Sequence, residues 1–173
     1  MAERQVEIPK GAKVTLSSDT ITVEGNGKKI EKLLDLRSVG LEIGDGKVIV
    51  KSVDEKKKST QTAGTIAAII KNMVLGTTQE FSYKLKVEHK HFPLKVTVKG
   101  DSVEIGNYLG TKSNRYAKIV QGAKVDVKGA DITVKSNDKN AAGQTAANIE
   151  NASKQARLCD RKFLDGIYIV EKP

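Results

Sequence analysis

The segment GAKVTLSSDTITV runs from Gly11 to Val23, and the segment GAKVDVKGADITV runs from Gly122 to Val134. Seven of the thirteen aligned positions are identical. Each segment alternates apolar and polar residues in two short runs with a tight connection between them, which is typical of a β-hairpin. A hairpin alone buries too little apolar surface, so each copy is expected to lie in a larger, covered sheet. The match favours an internal duplication over the alternative that two hairpins share composition by coincidence.

Further strand signals surround the two segments. Asn26-Gly27 and Asp45-Gly46 are hairpin turn signals, because both central residues of such a turn need positive φ. The stretches LKVTVKG and SVEIGN predict strands in the second half, and Asp165-Gly166 predicts a turn before a short last strand. A long alternating strand is predicted near the middle of the chain from Phe81, Tyr83, Leu85 and Val87.

One amphipathic helix is predicted in each half. The first follows from apolar residues at helical spacing, namely Ile66, Ile69, Ile70, Met73 and Val74. Ser59 or Thr60 is expected to cap its start and Gly76 to end it. Asp138 is expected to cap the second helix. The apolar face of that helix is predicted to consist of Ala142, Ala146, Ile149 and Ala156.

The chain is therefore predicted to have an α+β fold with two similar tandem domains related by duplication. Each domain is expected to contain an antiparallel β-sheet with one packed α-helix. The first domain is predicted to cover residues 1–83 and the second residues 84–173. No linker rich in Pro or Gly separates them.

The net charge of +9 is distributed unevenly between the halves. Residues 1–83 hold 13 Lys and Arg against 11 Asp and Glu, whereas residues 84–173 hold 17 against 10. Such an excess favours an acidic partner, most commonly RNA or DNA. A basic protein without a bound partner is the alternative. No apolar run approaches the length of a membrane span, no signal peptide is recognisable, and a single cysteine excludes an internal disulfide, which fits a reducing cytosolic compartment.

Three basic segments of the second half are candidates for phosphate contacts. A solvated charged face is the alternative for any one of their residues, and most aromatic rings are expected to fill the core rather than to stack on bases. The candidate RNA-binding residues are Lys90, His91, Phe92 and Lys95, then Lys112, Arg115 and Lys118 in a Gly/Ser/Asn-rich loop, and Arg157, Arg161 and Lys162 at a helix end.

No motif for catalysis or for a resident cofactor is present. The stretch from Gly40 to Gly46-Lys47 is one residue too long for a nucleotide-binding P-loop, and Val48 replaces the hydroxyl that binds Mg²⁺. His89, His91 and a distant Cys159 are too few for a convincing zinc site. No serine or cysteine lies in a recognisable nucleophile motif. We expect no enzyme activity, no metal, no cofactor and no small-molecule substrate.

The stretches VEIP, HFPLKV, VEIGNYLG, AGQTAANIE and DRKFLDGIYIVEKP occur in this order and cover most of the chain. In these stretches the sequence resembles the ribosomal protein L6 family of the large subunit, in its archaeal and eukaryotic form. The last two stretches are the most specific. Lysines are more abundant here than in the family pattern.

The resemblance implies two duplicated α+β domains and no catalytic activity. It implies that the second domain binds large-subunit ribosomal RNA near the sarcin–ricin loop and the factor-binding region, in a cytoplasmic ribosome with neighbouring ribosomal proteins. The implied contacts lie in Lys90 to Lys95, in Lys112 and Arg115, and around Arg157 to Lys162. The alternatives are a non-ribosomal RNA-binding module and an adaptor for acidic proteins.

Overall fold

The computed structural model describes residues 3–9, 11–17, 19–44, 46–54, 56–154 and 164–173. Contacts divide the chain into two compact units, Met1–Gln79 and Glu80–Pro173, which we call the first and second units. The boundary expected at residue 83 would cut a strand, Phe81–Glu88, whose pairings among the described residues are all with strands of the second unit. The strand that leads into the second half therefore belongs to that half.

The first unit contains six described strands and one helix. They are β1 (Glu3–Glu7), β2 (Ala12–Ser17), β3 (Thr20–Gly25), β4 (Lys28–Leu33), β5 (Val39–Gly44), β6 (Lys47–Ser52) and α1 (Lys57–Thr78). The strands form two antiparallel sheets, with the orders β1-β6-β5 and β2-β3-β4. Buried side chains from α1 and from both sheets form one core, which includes Ile21, Val50 and Ile70.

The second unit repeats this plan with one more strand. Its elements are β7 (Phe81–Glu88), β8 (Lys95–Lys99), β9 (Ser102–Gly106), β10 (Arg115–Lys118), β11 (Ala123–Lys128), β12 (Asp131–Ser136), α2 (Lys139–Ser153) and β13 (Gly166–Glu171). The antiparallel sheets have the orders β11-β12-β7-β13 and β10-β9-β8. The predicted α+β fold with two similar sheet-and-helix domains is confirmed, although each domain contains two sheets rather than one.

The strand orders show which elements of the two units are equivalent. The sheet β1-β6-β5 corresponds to β7-β12-β11, and the sheet β2-β3-β4 corresponds to β8-β9-β10. The matching GAKV segments form β2–β3 in the first unit and β11–β12 in the second. These hairpins lie in non-equivalent sheets, so the alignment that first suggested the duplication is wrong in register. Two half-buried hairpins share their period-2 pattern wherever they lie, which explains the misleading match.

The equivalent elements carry their own sequence identity. Val50-Lys51-Ser52 at the end of β6 matches Val134-Lys135-Ser136 at the end of β12. In the helices, the identical pairs are Ala63 and Ala142, Gly64 and Gly143, Ala67 and Ala146, Ala68 and Ala147, Ile70 and Ile149, and Asn72 and Asn151. The amide of Ile8 donates to the carbonyl of Gly46 at 2.9 Å, and Val87 donates to Ala130 at 2.7 Å in the equivalent place. The duplication is therefore supported in a new register.

The predicted turns and helix ends are partly confirmed. Asn26 and Gly27 have φ of 51° and 73° between β3 and β4, as a two-residue hairpin turn requires. Asp138 caps α2, because its side chain accepts a hydrogen bond from the amide of Asn140 at 3.0 Å. Ala142, Ala146 and Ile149 are fully buried as predicted. Asp45 and Ala156 lie outside the described residues.

The predicted ends of α1 are wrong at both sides. The helix begins at Lys57 after Lys56, whose side chain makes no capping hydrogen bond, so Ser59 and Thr60 lie inside the helix. The helix continues past Gly76 to Thr78. Ser59 and Gly76 are both buried within the helix rather than placed at its ends.

Candidate nucleic-acid interface

A buried carboxylate fixes the first basic loop. Residues 89–94, which we call the first loop, connect β7 to β8, and Asp165 immediately precedes β13. The Asp165 side chain is only 3% exposed, and its Oδ1 atom accepts hydrogen bonds from the amides of Lys90 and His91. His91 Nδ1 donates to Oδ2 of Asp165 at 2.9 Å. The carboxylate therefore holds the backbone of the loop and leaves the Lys90 ammonium group in solvent.

The ring of His91 is oriented by this contact. An ionised carboxylate can only accept, so the hydrogen in the 2.9 Å contact belongs to His91 Nδ1. The ring remains about half exposed, at 53%. His91 is thus a structural element of the first loop as well as a candidate RNA contact.

A strained turn lies beside the first loop. Residues 107–114, which we call the second loop, connect β9 to β10. Asn107, Leu109 and Gly110 have φ of 59°, 50° and 72°. A leucine rarely adopts this left-handed conformation, so surrounding contacts must hold it there. Tyr108 supplies one such contact, since it is 3% exposed and its hydroxyl donates to the carbonyl of Asp165 at 3.4 Å.

Direct contacts join the two loops. The Asn107 side chain donates to the carbonyl of Pro93 at 2.9 Å. The Phe92 ring lies over Gly110, where a Cβ atom would stand 3.1 Å from Cε1 of the ring. Glycine is therefore required at residue 110 for both its positive φ and the approach of the ring. Phe92 remains 45% exposed, so its ring contacts Gly110 and also reaches solvent.

Arg115 is engaged within the protein. Its guanidinium group donates to the carbonyls of Ala152 at 3.0 Å and Lys154 at 3.1 Å, at the carboxyl end of α2. The same group lies 4.2 Å from the centre of the Tyr108 ring. A cation at a helix C-terminus satisfies free carbonyls and interacts favourably with the helix dipole. Arg115 thus ties the second loop to α2, and an RNA contact by this residue stays a prediction.

The sequence predicts Arg115 and Lys118 in a loop, but the structure places both on β10. The run Arg-Tyr-Ala-Lys pairs with β9 because Ala117 faces the core while Tyr116 and Lys118 face solvent. Lys118 lies opposite Ser102, at the far end of β10 from the second loop. The structure therefore brings Lys90, Lys95 and Lys112 to one end of the sheet and leaves Lys118 at the other.

A second carboxylate stabilises the second loop from the solvent face of β9. Glu104 accepts hydrogen bonds from Asn114 at 2.7 Å, from the Tyr116 hydroxyl at 3.1 Å, and forms an ion pair with Lys99. The pKa of Glu104 is lowered, chiefly by its hydrogen bond with Lys99 and then by that with Asn114. Sequence reasoning missed this network because the carboxylates were too numerous to single one out.

Three exposed lysines lie in or directly beside the two loops. Lys90, Lys95 and Lys112 are exposed and form no ion pair with a described residue. By contrast, Lys84, Lys86 and Lys99 are paired with glutamates. Arg157, Arg161 and Lys162 lie outside the described residues, as does Cys159. Lys154 and Asp165 lie on either side of that segment in the sequence. The carbonyl of Lys154 accepts a hydrogen bond from Arg115, and the Asp165 side chain accepts one from His91.

Acid should weaken the anchor at Asp165. The hydrogen bond from His91, followed by that from the Lys90 amide, lowers the pKa of Asp165 from its usual value. A carboxyl group with a lowered folded-state pKa stabilises the fold fully above the unfolded-state pKa of about 3.9, and this contribution is lost as the pH falls further. We expect the free energy of unfolding to fall less steeply below pH 5 in Asp165→Asn than in the wild type, as measured by urea denaturation across pH. Equal acid slopes would contradict this role.

Other classes of site find no support among the described residues. In those ranges, no three His, Cys, Asp or Glu side chains are grouped closely enough to hold a metal ion. Within the same ranges, no helix combines the length and apolar character needed to cross a lipid bilayer.

Comparison with known proteins identifies the family. The family model described as ribosomal protein L6 matches residues 92–165. The large ribosomal subunit protein uL6 of Archaeoglobus fulgidus is 45% identical over 99% of this chain and 90% of its own length. The chain belongs to the ribosomal protein L6 family. The proteins of the same name from Methanosarcina mazei and Methanococcus vannielii are 40% and 39% identical, over 98% and 99% of this chain and 96% and 94% of their own lengths. All three names are those of ribosomal proteins and not of enzymes.

The L6 family match covers most of the residues that join the two loops. It begins at Phe92 and ends at Asp165, so the contact of Phe92 with Gly110 falls within it, whereas Lys90 and His91, the partners of Asp165, lie just before it. Sequence reasoning found the basic residues of this L6 family member but missed Asp165, Tyr108 and Glu104, which hold the loops in place. The stretch FLDGIY is the sequence signal at Asp165, and it predicts a turn at Asp165-Gly166. In the structure Gly166 already belongs to β13.

Proposed function

We propose that this chain is a structural constituent of the large ribosomal subunit and binds its RNA through the two loops of the second unit. The observation that supports this most directly is that the two loops are joined and anchored, while Lys90, Lys95 and Lys112 are exposed and form no ion pair with any residue that the structure describes. Fixed lysines can bind phosphates with little loss of backbone entropy. The relatives are named as proteins of the large subunit, which agrees with this role.

This surface suits folded RNA, which is recognised by its shape, better than a single RNA strand that is recognised by its base sequence. Three ammonium groups in and beside the two loops can neutralise phosphates, whereas Phe92 offers a single, partly exposed ring that also contacts Gly110. RNA helices are recognised mainly by shape and by contacts with phosphates and 2′-hydroxyls. We further propose that the bound region lies near the sarcin–ricin loop and the factor-binding region, and that the chain resides on cytoplasmic ribosomes among other ribosomal proteins.

Replacing Lys90, Lys95 and Lys112 together with Ala should weaken binding to large-subunit RNA by at least about tenfold near physiological salt. The slope of log K against log salt should decrease by roughly 2–3 units, because each lost phosphate contact contributes about 0.7–0.9. The matched control replaces Lys124, Lys128 and Lys135 of the β11–β12 hairpin with Ala, which removes the same charge from the other sheet. Filter binding across salt measures both, and equal slopes for the two variants would exclude the proposed surface.

Two further experiments separate the alternatives. A free-standing RNA-binding module would not sediment with large subunits through moderate salt, whereas a ribosomal constituent would. An adaptor for acidic proteins would keep its partner after nuclease digestion, whereas an RNA-held constituent would be released. Crosslinks from the first and second loops to ribosomal RNA would locate the contact region directly.

A further inference from the structure

The two units differ at one edge of their equivalent sheets. In the second unit, β13 covers the outer edge of β7 and extends the sheet to four strands. In the first unit, β1 is equivalent to β7, and no described strand pairs with its outer edge. A strand that is left unpaired exposes backbone donors and acceptors that can pair with another chain.

The alternation of β1 shows which backbone groups face this edge. The amide of Ile8 donates to Gly46 on the β6 side, so the groups of Val6 and Ile8 point inward and those of Gln5 and Glu7 point outward. The equivalent bond from Val87 to Ala130 fixes the same alternation in β7. There the outward groups face β13, with Lys86 opposite Tyr168.

The helix beside the edge provides an apolar groove. Val6, Ile8, Pro9, Val74 and Leu75 form the apolar part of its lining, beside the polar residues Gln5, Glu7 and Lys71, and Leu75 is 38% exposed. In the second unit the equivalent helix positions bind β13, because Ser153 accepts from and donates to Ile167 and Glu150 accepts from the amide of Ile169. Val74 occupies the position of Ser153, and Lys71 occupies that of Glu150.

We propose that the groove between β1 and α1 binds an extended segment of a neighbouring large-subunit protein as an added antiparallel strand. This inference rests on the proposed function for its choice of partner. Strand addition supplies main-chain hydrogen bonds, and alternate side chains enter pockets on one face. The second unit shows the geometry, because β13 pairs antiparallel to β7 along the equivalent edge.

The groove also determines the chemistry of the segment. Ile167 and Ile169 lie opposite Val87 and Leu85, so the occupant needs two apolar residues at alternate positions opposite Ile8 and Val6. Between them it faces Glu7, which is exposed and stands where β7 has Lys86. An apolar–basic–apolar sequence is therefore complementary. RNA is disfavoured here because Glu3 and Glu7 outnumber Arg4 on the edge strand, and Lys71 is the single basic residue among the described residues that line the groove.

Hydrogen exchange of the full chain, free and assembled into large subunits, tests this inference. In the free chain the amides of Gln5 and Glu7 should exchange quickly and those of Val6 and Ile8 slowly. In the subunit, protection of Gln5 and Glu7 should increase by about tenfold or more, because strand pairing protects their outward amides. A photo-crosslinker in place of Gln5 should then attach to a protein segment of the expected apolar–basic–apolar pattern.

Gln5→Pro and Gln5→Ala form the matched pair of variants. Proline is tolerated on an edge strand but removes the outward donor, whereas alanine keeps it. We expect Gln5→Pro to lose most of the crosslink from a probe placed at Glu3, and Gln5→Ala to keep it. A crosslink to RNA, to a second copy of the chain, or to nothing would overturn the inference. If neither variant nor wild type sediments with large subunits, the proposed function fails instead.

Discussion

Asp165→Ala is expected to lower the free energy of unfolding of the second unit by about 3 kcal/mol, since hydrogen bonds to a buried charged group each contribute about 1.5–3 kcal/mol. Three bonds end on this carboxylate, and their donors are the Lys90 amide, the His91 amide and the His91 ring. Their loss leaves the first loop without its anchor. Urea denaturation gives the free energy, and binding to ribosomal RNA should weaken in the same variant although no lysine has changed.

Asp126→Ala is the matched control for this experiment. Asp126 lies in the same unit, but its side chain is 66% exposed and pairs with Lys128 at 3.6 Å. A surface ion pair of this kind contributes about 0–1 kcal/mol. If Asp165→Ala destabilises the protein no more than Asp126→Ala does, the carboxylate does not anchor the loop.

Ile149→Ala and Ile70→Ala should each lower the free energy of unfolding by about 3–4 kcal/mol, within the range of about 2–5 kcal/mol measured for truncation of buried isoleucine. Both side chains are fully buried, and they occupy equivalent positions of α2 and α1. Each truncation removes apolar contacts and leaves a cavity that the facing sheet cannot fill. Chemical denaturation measures the loss, and hydrogen exchange should show that each variant loosens its own unit most.

One exposed apolar residue in each unit provides the control for these truncations. Leu33→Ala in β4 and Val170→Ala in β13 remove side chains that are 78% and 68% exposed. Their expected cost is within about 0.5 kcal/mol, as is usual for surface substitutions. Similar losses for buried and exposed residues would contradict the assignment of the two cores.

Much of the fold could be predicted because its signals are local. The alternation of β7, the helical spacing of Ile66 and Ile70, and the Asn26-Gly27 turn depend on residues close in sequence. The duplication was predicted from the wrong pair of hairpins, because a pattern of period two cannot tell one sheet from another. The correct register became visible only from strand order, after which the identity of the two helices at Ala63 and Ala142 could be recognised.

Only the basic residues of the candidate RNA-binding surface could be predicted from the sequence, and not the residues that hold them in place. Lys90 and Lys112 stand out in basic segments, but their positions depend on Asp165, which follows them by more than fifty residues. In the sequence, Arg115 cannot be distinguished from a phosphate-binding arginine. In the structure, its guanidinium group donates hydrogen bonds to carbonyls at the end of α2. Long-range contacts of this kind leave no local pattern, so sequence reasoning could not separate the anchors from the exposed lysines.

The two equivalent helices differ in how their amino-terminal ends are stabilised. Lys56, Lys57 and Lys58 place three positive charges at the positive end of the α1 macrodipole, where they repel it. Asp138 places a negative charge at the same end of α2. The start of α2 is therefore stabilised by its own cap, whereas the start of α1 depends more on packing against its two sheets.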